Sequence, residues 1–288
     1  IKKDLKINSF IGDVRNYDNL KEKIETIEPE IIIHMAAQPL VRLSYEKPVE
    51  TYGTNVLGLV NLLDIGKASN SLRAILNVTS DKCYENKEWL WGYRESDRLG
   101  GHDPYSNSKA CAELVTLAFQ KSFYNKLKIG LASARAGNVI GGGDWSIDRL
   151  IPDFIRAQQS KTSLQIRNPY AVRPWQHVIE PLVGYLILCE KLYAKPNKYN
   201  EAWNFGPNDL GLINVENVII EMQKNSSKDV IVEFNRDDSK HEASLLKLDA
   251  SKVKNHLNWS GRWNFQQTIK YTAEWYENFY RKKNMYDL

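Results

Sequence analysis

The stretch HDPYSNSKACAE, His102 to Glu113, sets a tyrosine four residues ahead of a lysine where a helix should begin. Residues i and i+4 share one face of a helix. A phenol ionises at about pH 10 and is a poor base at neutral pH. A neighbouring ammonium favours the phenolate, so Tyr105 beside Lys109 is expected to become a usable base. Lys109 is also suited to holding a ribose hydroxyl. The spacing alone decides little, because about one Y-x-x-x-K is expected by chance in such a chain. Three occur here: Tyr17/Lys21, Tyr105/Lys109 and Tyr124/Lys128. Tyr17/Lys21 opens an early helix on a different connection. Tyr124/Lys128 falls across an expected helix-to-strand junction, where the i+4 geometry is lost. Only Tyr105 begins a helix shortly after a strand that ends in Ser-Asp, and that context selects it as the chemical copy.

In open parallel sheets, ligands gather at the carboxyl ends of strands. Thr79-Ser80-Asp81-Lys82 follows the buried run Ile75 to Val78. Ser and Asp favour turns, so a plain turn is one reading. A hydroxyl, a carboxylate and an ammonium at a strand end are also a set for acid/base work. His34-Met35-Ala36-Ala37-Gln38 follows Ile31 to Ile33. There the small Ala36-Ala37 pair either admits a flat ligand against the backbone or serves ordinary close packing. Arg173 reads either as a bidentate phosphate grip or as a surface ion pair. Trp89, Trp91 and Tyr93 read as a lid or as a satellite cluster under a loop. The aromatic C-terminal helix (Trp275, Tyr276, Phe279, Tyr280) reads as core. The run NRDDSKHE reads as a solvated loop from which Arg236 and His241 can reach a ligand.

The elements that must carry these residues alternate. INSFIGDV reads as a strand ending at Gly12-Asp13, YDNLKEKIETI as a helix and EIIIHMAA as a buried strand. A long helix follows over PVETYGTNVLGLVNLLDIGKAS, then the strand LRAILNVTS. The Tyr105 helix and the strand KIGLASARAGNVIG come next. Continuous apolar strands alternating with helices imply a parallel sheet covered on both faces. Right-handed crossovers then make the fold an α/β, doubly wound, Rossmann-like one. After about residue 141 come the loop GGGDW and DRLIPDFIRAQQS, a helix with Asp148 as its expected N-cap. A smaller α/β lobe follows, interleaved with the first. The expected division is residues 1–140 plus about 173–206 for the sheet domain, and 141–172 plus 207–288 for the second lobe. A dinucleotide fold opens with a strand, a Gly-rich turn and a helix. That opening is not found in this sequence. Gly141 to Gly143 follow a late strand with no helix directly after, so they do not read as a pyrophosphate loop.

Composition sets outer limits. The chain has 288 residues, enough for one or two domains. A formal charge of +4 suits a small anionic ligand and is too mild to argue for nucleic acid. Three well-separated cysteines, Cys83, Cys111 and Cys189, exclude a disulfide framework and a Cys-based zinc site. They point to a reducing compartment. Five histidines without H-x-x-x-H spacing make a metal site unexpected. No apolar run is long enough for a membrane helix, and the first residues hold no signal core. A cytoplasmic protein with no membrane contact is expected.

Together, GDVRNYDNL, VTSDKCYEN, DPYSNSKACAE, RAGNVIGGGDW, RLIPD and RNPYAVRPWQHV resemble the extended short-chain dehydrogenase/reductases. More narrowly they resemble the nucleotide-sugar 4,6-dehydratases, in the branch that acts on CDP-glucose. The family's Gly-rich turn and the strand after it, on the order of fifty residues, are missing, so an N-terminally truncated sequence is expected. The resemblance implies NAD, reduced and reoxidised within one cycle, and CDP-glucose as substrate. It implies that Tyr105 takes the proton of the sugar 4-hydroxyl and that Ser80 hydrogen-bonds the same oxygen. Asp81 would protonate the departing 6-hydroxyl. Lys82 stands where dTDP-sugar relatives have the Glu that removes the C5 proton. Asp13 and Val14 would meet the adenine. Met35, Ala36, Ala37, Gln38 and Thr54 would line the dinucleotide, with Tyr105 and Lys109 at its nicotinamide end. Arg42, Asn138, Leu164, Gln165 and Ile166 would hold the nucleotide-sugar, as would Arg173, Asn204, Arg236 and His241. Paired helices over residues 51–68 and 105–123 imply a homodimer or a dimer of dimers. The implied pathway is dideoxysugar supply for lipopolysaccharide O-antigen.

Overall fold

The structure, a computed structural model, describes residues 7–208, 213–235 and 243–285. A helix α1 (Tyr17–Ile27) leads into strand β1 (Ile31–His34). Two short helices follow, α2 (Val41–Glu46) and α3 (Pro48–Tyr52). A π-helical turn over Gly53–Leu57 continues α3 into α4 (Gly58–Gly66). Strand β2 (Ala74–Val78) ends in a 3-10 turn, Asp81–Cys83. Helix α5 (Pro104–Phe119) passes through a second π turn, Gln120–Tyr124, into α6 (Asn125–Leu127). Then come β3 (Gly130–Ala136), β4 (Val139–Ile140), α7 (Leu150–Ser160), β5 (Leu164–Ile166) and β6 (Gln176–His177). The rest is α8 (Ile179–Ala194), α9 (Pro196–Tyr199), β7 (Ala202–Phe205), α10 (Val215–Lys224), β8 (Val232–Phe234), α11 (Ser251–Leu257) and α12 (Phe265–Tyr280).

Strands β1, β2, β3 and β7 form one parallel sheet in that order. Side chains alternate across a strand. Ile75 and Leu131 therefore meet Leu59, Leu63 and Ala112 of α4 and α5 on one face. Ala74, Leu76, Ala132 and Ala134 meet Tyr185, Leu188 and Leu192 of α8 on the other. The two-faced covering is what the apolar strand sequences require. All four strands run the same way, so their carboxyl ends open along one edge of the sheet.

A second core joins α7, α10 and α12 through Phe154, Ile155, Val218, Met222, Ile269 and Tyr276. β5 and β8 pair beside it, and β4 pairs with β6. The loop GGGDW runs against α12. A side chain at Gly142 would lie 2.0 Å from the Trp275 ring, so this close approach demands glycine.

Four expectations change. Residues 7–13 carry no regular structure, although they read as a strand. Among the described residues no ladder joins them to a neighbour, and a strand without one leaves its backbone groups unpaired. Asp148 does not cap α7. Its φ is 57°, a left-handed turn, and its carboxylate lies 3.5 Å from Arg167 while Arg149 holds the cap position. Finally, Val253, Leu257 and Trp259 pack into the sheet-side core with Phe205, so part of 207–288 returns to the first lobe. The aromatic C-terminal helix divides likewise: Tyr276 is core, whereas Phe279 and Tyr280 stay half exposed around Trp145.

Candidate active site

Ser80 leaves β2 in extended backbone and caps the 3-10 turn, its Oγ accepting from Lys82 N at 3.2 Å. The same hydroxyl donates to Asp81 Oδ1 at 3.0 Å. Opposite stands the first turn of α5. Asp103 caps it, accepting Ser106 N at 2.9 Å, and Pro104 occupies the first helical position. Such a start suits Pro, whose missing N–H would be unpaired there anyway. Ser44 of α2 takes the Tyr105 backbone N–H at 3.1 Å. The phenol thereby lines the same cavity as the Ser80 hydroxyl at the β2 strand end.

These groups face a cavity of about 890 Å³. Ser80, Asp81, Lys82 and Tyr105 line it, as do Met35, Arg42, Asn138, Leu164, Gln165, Ile166 and Arg173. Arg173 is buried, with one guanidinium N–H on Val172 O at 2.9 Å and another on Ala243 O. Arg236 and His241 lie outside the described residues. The other two Tyr/Lys spacings are structural. Tyr17 donates to Asp64 at the surface, at 2.8 Å, and buried Tyr124 donates to Leu63 O at 2.7 Å. Lys128 has left the helix with φ 58°.

Electrostatics divide the site. Asp81 is fully buried, and burial pushes its carboxyl above the usual range against the fields of Lys82 and Arg173 and the Ser80 hydrogen bond. Its Oδ2 has no hydrogen-bond partner. Burial of this kind favours the protonated form of a carboxyl group. For Tyr105 the expected lowering is not found. Burial pushes the phenol up to about 12, opposed by the Ser80 hydrogen bond and by Arg149. Lys109 is itself lowered to about 8 by burial, and its amine donates to Val78 O at 3.3 Å. Desolvation outweighs the i+4 pairing that the spacing suggests.

Other expected contacts fall away from the cavity wall. Asn204 is wholly buried. Its amide donates to Tyr93 O at 2.8 Å and Asp249 O at 3.1 Å, and its oxygen accepts the Tyr84 hydroxyl at 2.6 Å. Its hydrogen-bonding groups are committed to the protein, so it pins loops rather than touching the cavity. Tyr93 in turn stacks between Tyr84 and Trp89, which makes that cluster a support and not a free lid. The Gln38 side chain also turns inward, to Leu40 and Thr51, while Asn55 on the π turn holds its backbone and reaches Ser108 at 2.9 Å. Ala36 stays exposed and Ala37 half-buried at the end of β1. Asp13 is exposed and bound by Arg15, and Val14 packs on Gly58. Thr54 is half-buried on the π turn. Sequence reasoning passed over Arg149, although it sits inside RLIPD, and over the buried pair Glu113 and Arg135. The i+4 step from Lys109 to Glu113 was the available signal.

A parallel sheet with a phenol, a hydroxyl and a buried acid gathered at its strand ends defines a Rossmann-like α/β protein with an acid/base site. The chain belongs to the GDP-mannose 4,6 dehydratase family, whose sequence profile matches residues 1–272. It is 49% identical over 284 residues to the CDP-glucose 4,6-dehydratase of Salmonella typhimurium, covering 97% of this chain and 79% of that one. It is 26% identical to the dTDP-D-glucose 4,6-dehydratase of Homo sapiens, covering 95% of this chain and 76% of that one. The dTDP-glucose 4,6-dehydratase of Streptomyces venezuelae, solved with NAD bound, superposes with a TM-score of 0.83. That match covers 99% of this chain and 84% of the other at 21% identity, a likeness of fold alone. Among the described residues no helix is long and apolar enough to cross a membrane, and no cluster of three or more His, Cys, Asp or Glu is placed to hold a metal.

Proposed function

We propose that this chain is an NAD-dependent CDP-glucose 4,6-dehydratase that converts CDP-D-glucose to CDP-4-dehydro-6-deoxy-D-glucose. The carrying observation is the buried Asp81 acid beside Lys82, in one cavity with the Tyr105 phenol and the Ser80 hydroxyl. Oxidation at a sugar carbon needs only the phenol and hydroxyl. Expelling water needs an acid in addition, and Asp81 supplies it. The choice of CDP-glucose is supported by the 49% identity to the Salmonella enzyme.

The residues present fit a flat dinucleotide. Exposed Met35 and Ala36 lie at the end of β1, with little side chain at Ala36 and Ala37 to obstruct it, and the Lys109 amine lies at the end of β2. Asp13 and Val14 would meet the adenine, and Thr54 would line the dinucleotide. Bound NAD supplies a hydride acceptor for C4, a cationic ring, and the hydride that returns to C6. Tyr105 is the general base for the proton of the sugar 4-hydroxyl; its buried phenol lies at about 12, so this role calls for the cationic ring of bound NAD to favour the phenolate. Ser80 holds that oxygen. The 4-keto group acidifies the C5 proton, and Lys82 is the candidate to remove it and to return it to C5 as hydride reaches C6. Asp81, whose protonated form burial favours, gives its proton to the 6-hydroxyl, which departs as water. Arg173 would grip the diphosphate, and Arg42 would hold another part of the nucleotide-sugar. Asn138 and Leu164 to Ile166 hold the remaining nucleotide-sugar.

The assembly is a homodimer or dimer of dimers joined through the helices over residues 51–68 and 105–123. Exposed Leu57, Leu114 and Leu117 support that surface. The unpaired Cys83, Cys111 and Cys189 support a cytoplasmic location. The product suits deoxysugar supply for O-antigen. Incubation of the protein with CDP-glucose and NAD tests the reading. A 4-keto-6-deoxy product, seen by its absorbance in alkali, is expected, and CDP-galactose in its place overturns the dehydratase.

A further inference from the structure

The mechanism leaves one buried ion pair unused. Glu113 of α5 and Arg135 of β3 meet at 2.7 Å with 3% and 4% of their side chains exposed. A buried pair of this kind is weak support for stability, since desolvation offsets most of the attraction. Its placement says more. Glu113 lies one helical turn beyond Lys109, on the face that carries Tyr105. One carboxylate oxygen accepts the Thr79 hydroxyl, and the other accepts Ser133 Oγ at 2.6 Å as well as Arg135. Arg135 passes the connection on to the Tyr84 hydroxyl at 2.8 Å, and Tyr84 to Asn204. Thr79 is the residue before Ser80. A single carboxylate therefore ties the end of β2, the middle of β3 and the helix that bears Tyr105 and Lys109.

We propose that Glu113 is a positioning residue for the dehydratase reaction: it clamps the Thr79–Ser80 strand end to α5 and keeps the Lys109 amine charged. The proposal rests on the function proposed above. Burial lowers Lys109 to about 8, and the charge of Glu113 acts in the opposite direction. The other titratable groups around the amine are His34 from β1, Cys83 from the 3-10 turn and Tyr105 on its own helix. Burial holds His34 neutral, near 4, and pushes the Cys83 thiol well up. At neutral pH both are uncharged, which leaves Glu113 as the anion acting on Lys109.

Removing Glu113 should lower the Lys109 titration midpoint, so that the amine loses its proton at lower pH. The test follows Lys109 by NMR of protein labelled at lysine Cε, assigned with Lys109→Met, in the unsubstituted chain and in Glu113→Gln, Glu113→Asp and Glu113→Gln/Arg135→Gln. The double variant leaves no unpaired buried ion, so it serves where Glu113→Gln fails to fold. A fall of roughly one pH unit, tenfold in proton affinity, is expected in Glu113→Gln. A smaller fall of the same sign is expected in the double variant, and Glu113→Asp should restore most of it. The alkaline limb of kcat/KM should move down in parallel. An unmoved Lys109 midpoint in a folded variant overturns the proposal, whereas absence of 4-keto product from the unsubstituted chain overturns the dehydratase reading instead.

Discussion

The Lys109 amine donates to the backbone oxygen of Val78, 3.3 Å away, at the last residue of the strand that delivers Ser80. This bond joins helix α5 to the end of β2 and fixes the amine on the sheet side of the cavity. The phenol of Tyr105 is governed mainly by its own burial, at about 12. The chemistry of the site is thus set by desolvation first and by charge second.

Tyr105→Phe should abolish oxidation at C4. The loss expected for a general base is about 10²- to 10⁴-fold in kcat, with the fold intact. Single-turnover formation of NADH at 340 nm measures it. A variant retaining more than a tenth of the activity would remove Tyr105 from the reaction.

Asp81→Asn should separate the two halves of the reaction. Oxidation proceeds, but water loss stalls for want of a proton donor, and reduced cofactor accumulates. The raised pKa of Asp81 sets the accompanying pH dependence. The step needs the protonated acid, so in the unsubstituted chain it weakens as pH rises through that value. Stopped-flow absorbance shows either trapped NADH or, against the assignment, full turnover.

Arg173→Lys keeps the charge but loses the planar fork. A tenfold or greater rise in KM for the nucleotide-sugar is expected, with little change in kcat. Steady-state kinetics over a range of substrate concentrations checks the split. Equal kcat and KM to the parent would place the diphosphate elsewhere.

Asn204→Ala tests the revised role of that residue. Tyr93 O, Asp249 O and the Tyr84 hydroxyl lose their partner, and about 2–4 kcal/mol of stability should go with it. Urea unfolding reads the loss. KM for the substrate should stay the same, and a large KM change with unaltered stability would return Asn204 to the binding site.

His34 predicts acid sensitivity. Burial lowers it from 6.5 to about 4, with Lys109 acting in the same direction. In the unfolded chain it binds a proton at higher pH than in the folded one. Stability is therefore fully present above about 6.5 and is lost as pH falls toward 4, by about 3 kcal/mol. His34→Gln should flatten that slope in urea titrations between pH 7 and 4. His177, also lowered to about 4 by burial, contributes a residual slope of the same sign.

Much of the fold is legible because apolar periodicity is a local property. The runs AILNV and AWNF form buried strands and IIIH a partly exposed edge strand, and their alternation with helices leaves a parallel sheet as the solution. The misreadings share one cause, dependence on a distant neighbour. Residues 7–13 have strand-like composition, but pairing decides whether a strand exists. Asp148 has a capping side chain, but its ion pair with Arg167 and a left-handed turn move the cap on to Arg149. Val253 and Trp259 lie late in the chain yet pack under the first sheet, which no linear boundary conveys.

By itself the sequence determined which residue types stand at the strand ends and which face of α5 carries Tyr105, Lys109 and Glu113, because helical and strand periods fix those directions. Tertiary structure alone decided where the Lys109 amine points, why the Asp81 carboxyl is pushed above its usual range, and that Asn204 serves the loops. These outcomes depend on burial and on partners from other elements, and neither is encoded in spacing along the chain.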